Sequence, residues 1–132
     1  MEKWKEVFIG TIPKAVYQVQ LINGEKQGLT IKLLSSQTCV MINFGMVQAV
    51  RMLDEGIVQS NLYSENEIRK YKDNDFQNII YEVQDGKFLE QINQISDGYG
   101  EALNLKHYVV ITQNYNIDIA TEWEPTIEIL KM

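Results

Sequence analysis

The sequence predicts an α+β fold, mainly antiparallel sheet, with about seven to eight strands, one principal helix and one short helix. Three observations predict it. Apolar and polar residues alternate along most of the chain, clusters bearing Gly, Asn or Asp separate the alternating runs, and only Phe88 to Ile95 repeats at clear helical spacing. Strands that follow one another, instead of alternating with helices, do not suggest βαβ units.

Ala15 to Ile22 reads as the first strand, because Ala15, Tyr17, Val19 and Leu21 share one face while Gln18 and Gln20 take the other. Asn23-Gly24 breaks it, Gly28 closes a polar loop, and Leu29, Ile31 and Leu33 restart the alternation, which makes residues 15–34 a hairpin. After a turn at Ser35 to Thr38, Val40, Ile42 and Phe44 form a third strand. Met46 to Leu53 fits a short helix or a strand; a strand entered through a kink at Gly45 extends the sheet, with Asp54-Glu55-Gly56 as its terminating turn.

Residues 57–77 are polar and irregular, with one local signal. Ser64-Glu65-Asn66-Glu67 has the spacing of a capping box, in which serine and glutamate side chains satisfy orphan backbone N–H groups, and a short helix over 64–72 follows from it. Ile79 to Val83 is a strand ended by Asp85-Gly86. Phe88, Leu89, Ile92 and Ile95 form the apolar stripe of the principal helix, with Asp85 as the candidate cap and Gly98 or Gly100 as its end.

Tyr108-Val109-Val110-Ile111 is apolar on both faces, as a central strand is, and Ile117-Asp118-Ile119 returns from a turn at Asn114 to Asn116. Ile127 and Ile129, with Glu128 outward, give a last strand after Pro125. With 132 residues, no internal repeat and no linker, a single α+β domain over 1–132 is the expectation.

Composition bounds the function. Cys39 is the only cysteine, so neither an internal disulfide nor a CxxC pattern exists, and a reducing, cytoplasmic setting is expected. No signal peptide is read at the N-terminus, and the longest uncharged run, between Lys32 and Arg51, is too interrupted by polar residues for a membrane span. The formal charge is −6; residues 67–132 hold 12 acidic and 6 basic side chains, whereas residues 1–66 are balanced. That asymmetry argues against nucleic acid, which needs a basic footprint, and suits a basic protein partner or a merely solvated acidic surface.

No motif names an activity. His107 is the only histidine, so any nucleophile–histidine dyad must use it with Cys39, Ser96 or another serine; the plain alternative is a hydrogen-bonded structural residue at the head of a buried strand. A carboxylate pair for hydrolysis would need Glu55 with Glu82, Asp118 or Glu122. Arg51, Asp54 and Glu55 cluster beside an apolar strand, where they either orient a ligand or close a turn as a salt bridge. A cleft near Arg51, Glu55, Tyr81 and His107 is the setting for a small-ligand protein or hydrolase. The glycines build no phosphate-binding loop, and neither a cofactor nor a metal is implied. Tyr99 with Asp97 and Glu101, and Trp123 between Glu122 and Glu124, have the character of interface anchors, although either aromatic ring could instead belong to the core. Unpaired strand edges leave a homo-oligomer open.

Asn78-Ile-Ile-Tyr-Glu-Val83, Gln94-Ile-Ser96, Lys106-His-Tyr-Val-Val-Ile-Thr112 and Asn116-Ile-Asp-Ile119, with Ile42-Asn-Phe44, Arg51 and Asp54-Glu-Gly56, resemble a group of small bacterial proteins. Such proteins resemble the immunity components of polymorphic toxin systems. The resemblance implies a protein that binds and blocks a toxin, and it carries no functional residues with it.

Overall fold

The computed structural model describes residues 1–57, 62–72, 76, 78–97 and 102–131. Nine strands form two antiparallel sheets: β1 (Lys3–Glu6), β2 (Gln18–Gly24), β3 (Gly28–Leu34), β4 (Thr38–Gly45), β5 (Val47–Asp54), β6 (Ile80–Gln84), β7 (Lys106–Ile111), β8 (Tyr115–Thr121) and β9 (Thr126–Lys131). One sheet has the order β1-β6-β7-β8-β5 and the other β2-β3-β4-β9. Among the described residues two α-helices, α1 (Glu65–Lys72) and α2 (Lys87–Ile95), accompany the sheets in an α+β fold.

The two sheets face each other. Leu29, Ile31, Leu33, Val40, Ile42 and Phe44 of the four-stranded sheet meet Ile80, Tyr108, Val110, Ile117 and Ile119 of the five-stranded one in the main core. The opposite face of the five-stranded sheet is buried as well. Tyr81, Val83, Val109 and Ile111 lie in a cluster with Trp4 and Tyr63, with Ile68 and Tyr71 of α1 packed against it; Ala120 packs with Phe88 of α2. β7 is therefore central and apolar on both sides, as its sequence predicts.

The stretch 46–53 is a strand. Its entry is set by Gly45, in the left-handed region (φ 69°), which redirects the chain from one sheet to the other. Gly28 packs directly on this corner: a Cβ there would stand 2.1 Å from the carbonyl carbon and oxygen of Gly45.

Five expectations need correction. The strand count is nine in two sheets because β1 was not visible: it has four residues and buries only Trp4, too short a pattern to show periodicity. The first predicted strand starts at Gln18, not Ala15; Ala15 and Val16 are exposed, and Tyr17 is buried ahead of the ladder. The capping box is not closed as drawn, since Glu67 accepts the backbone N–H of Trp4 (2.9 Å) while the Ser64 N–H goes to Glu2 (2.6 Å), so both groups tie α1 to β1. Asp85 does not cap α2. The cap position is Gly86, which carries no side-chain cap and sits where a Cβ would lie 2.9 Å from Val83 Cγ1. In the same helix Ile95, its last residue, is 74 % exposed, so the stripe ends at Ile92. Gly98 and Gly100 fall outside the described residues.

Candidate functional site

Strand parity builds the most polar feature of the interior. On the helix-covered face, Arg51 of β5 stands opposite Asp118 of β8, which stands opposite Val109 of β7. In the next row Ala49, Ala120 and His107 face one another, so two small residues leave room for the imidazole and for Phe88. His107 thus lies diagonal to Asp118, within reach across the strand pair.

Asp118 is fully buried and accepts from three side chains. Its Oδ2 takes Arg51 Nη2 at 2.7 Å, Arg51 Nε at 2.9 Å and the Tyr63 hydroxyl at 2.9 Å; its Oδ1 is 2.8 Å from His107 Nε2. A carboxylate only accepts, so Nε2 carries a hydrogen, and in the neutral imidazole that tautomer leaves Nδ1 without one. Nδ1 is buried and has no hydrogen-bond partner among the described residues; it faces the place a Gly86 side chain would fill. The guanidinium carbon of Arg51 sits 4.9 Å from the centre of the Phe88 ring, and that ring is 5.1 Å from His107. Burial, and secondly the negative charge of Asp118, push the Tyr63 phenol well above its ordinary value, so it stays a donor.

Arg51 and Asp54 do not pair. Three residues apart on a strand, they point to opposite faces; Asp54 instead accepts the Gly56 N–H at 2.7 Å and shapes the 3-10 turn Glu55–Ile57. The turn-closing salt bridge between Arg51 and its sequence neighbours is thereby replaced by a cross-strand one. Asp118 with His107 has the acid–histidine half of a catalytic relay, but among the described residues no nucleophile stands at Nδ1. Cys39 lies in the other sheet, and the Ser96 hydroxyl donates to the Asn93 carbonyl at the end of α2. Among the described residues no group of three or more His, Cys, Asp or Glu is placed to hold a metal ion.

A cleft of about 870 Å³ opens beside this network, between α1, the segment Lys14–Tyr17 and the end of the β7–β8 hairpin. Tyr63 is on its wall and links it to Asp118; of the four residues expected to line a cleft, Glu55 does so, whereas Arg51, Tyr81 and His107 do not. Tyr63 was not singled out from sequence, and no local pattern marks it.

At one end of the sandwich the chain crosses between sheets twice, at Gly45-Met46 and at Glu122–Pro125. Thr121, fully buried, joins the two crossings: its hydroxyl donates to the Met46 carbonyl (3.2 Å) and accepts the Trp123 N–H (3.3 Å). Trp123 is 58 % exposed and Met46 51 %, so Trp123 is no core plug. Glu124 is exposed beside it, and Glu122 is half-buried and accepts from Gln48 at 3.4 Å. Tyr99 and Glu101 lie outside the described residues.

No protein-family model, curated protein or solved structure matches this chain. None of the described helices is long and apolar enough to cross a membrane.

Proposed function

We propose that this chain is a cytoplasmic protein-binding domain whose contact surface is the corner at Trp123, and that its partner is a basic protein which it binds and blocks, in the manner of an immunity component. The observation that carries this reading is the exposed Trp123 between two glutamates and against Gly45, where Cδ1 stands 3.7 Å from the place of a Cβ. Tryptophan is enriched among the residues that anchor protein interfaces, and an indole face flanked by carboxylates suits a lysine or arginine side chain. The acidic second half of the chain would draw such a partner in by long-range attraction.

Affinity capture from the source cells, at low and at moderate salt, tests it. The wild-type chain should retain one stoichiometric protein that salt weakens, and Trp123→Ala or the pair Glu122→Lys and Glu124→Lys should lose it. Equal retention by these variants, or no retained protein at either salt, would refute the assignment of the surface.

A further inference from the structure

We propose a second site, separate from the Trp123 corner and independent of it: the cleft beside α1 binds an amphipathic organic carboxylate, its apolar body on the floor and its anion at the lysines.

The floor is apolar, formed by Tyr17, Ile79 and Ile111 at the rim of the two cores, and a volume of about 870 Å³ is within the usual range for small-molecule sites. Asn116, 9 % exposed, also lines it, and its carboxamide makes no hydrogen bond to another described residue. At the cleft wall, its side-chain N–H group is placed to donate to a ligand's carbonyl or carboxylate oxygen. The walls carry three cations. Arg69 is committed to Glu65 at 3.5 Å, but Lys14 and Lys72 have no ion pair among the described residues and Glu55 is the only other carboxylate there. In a chain of charge −6 this is a local excess of positive charge over apolar ground. A neutral lipid leaves the lysines unused and a small inorganic anion leaves the floor unused; an amphipathic carboxylate uses both.

Titration calorimetry and amide NMR with decanoate, 1-decanol and acetate distinguish the contributions. Decanoate should bind one to one, shift the Asn116 side-chain amide signals, and bind at least tenfold more tightly than either control. Reversing both lysines, Lys14→Glu with Lys72→Glu, should weaken decanoate at least tenfold and leave decanol unchanged, and Ala15→Phe, at the exposed mouth, should weaken both. Equal binding of decanoate and decanol, unchanged affinity in these variants, shifts confined to the Trp123 corner, or no saturable binding would each overturn the proposal. None of these outcomes bears on capture of a protein partner, so the two readings fail separately.

Discussion

Asp118→Asn tests the interior network with almost no change of shape. The amide oxygen can stay where Oδ2 receives Arg51 and Tyr63, and the new NH₂ then faces His107 Nε2 in place of Oδ1. The imidazole accommodates this by moving its hydrogen to Nδ1, the atom that has no partner to lose. The hydrogen-bond count is nearly kept, so the loss is that of the charge opposite Arg51. Removing one member of a buried ion pair costs about 3–5 kcal/mol. The Arg51 side chain is 24 % exposed and reaches some water, which brings the cost below that range, to about 2–3 kcal/mol. For a domain of this size that corresponds to a fall in Tm of roughly 8–12 °C. Calorimetry and urea unfolding should show this fall at an unchanged m-value, and nitrogen NMR should show the histidine tautomer switch from Nε2–H to Nδ1–H. Glu122→Gln, at the surface, should stay within about 0.5 kcal/mol of wild type. A fall in Tm under about 2 °C for Asp118→Asn, or an unchanged tautomer, would refute the account of the network.

Gly28→Ala should cost more than about 4 kcal/mol and leave little folded protein, because its Cβ would overlap the Gly45 backbone and its φ is 78°; circular dichroism melts against Gly24→Ala, whose added Cβ meets nothing within 4 Å, provide the check. Glu67 is held below the usual glutamate range first by Lys70, at 2.7 Å, and then by the Trp4 N–H. The stabilisation it gives is therefore complete above the ordinary value of about 4.3 and is lost as pH falls through the depressed folded value. Urea midpoints measured through this acid range should converge for wild type and Glu67→Gln at the low end and differ at neutral pH, and a constant difference would contradict the assignment.

The strands whose alternation is plainest in the sequence are those with a core on one side and water on the other. From Leu29 to Leu34 and from Val40 to Gly45 buried residues alternate with more exposed ones, and from Gln18 to Leu21 exposed residues alternate with half-buried ones, so period two is on display. The hidden part is the helix-covered face of the five-stranded sheet, where the alternate residues are buried too. Asp118, between Ile117 and Ile119, has the sequence pattern of an outward polar residue, and only its neighbour strand betrays it: a β7 apolar on both sides requires cover on both sides, and whatever β8 carries next to it is then covered as well. Arg51 and His107 were suspected for their chemistry and as neighbours in one cleft, but not as partners of one carboxylate. Their common partner could not be deduced from spacing, because it depends on the register of three strands, and Tyr63 reaches it from a segment with no periodic signal.

The same geometry explains why the Trp123 corner can act as a contact surface without a separate ordering step. A loop that folds only on binding adds its entropy cost to the affinity. Here the backbones of Met46 and Trp123 are both bonded to one buried hydroxyl, and that hydroxyl sits at the last residue of β8, whose ladder runs back to Asp118. The two inter-sheet crossings therefore hold each other, and the exposed side chains stand on a frame fixed by the fold. Truncating Trp123 removes contact area from the surface and leaves that frame in place, so its effect belongs to binding. Removing the Thr121 hydroxyl would instead loosen both crossings, and weaken binding through disorder of the free protein.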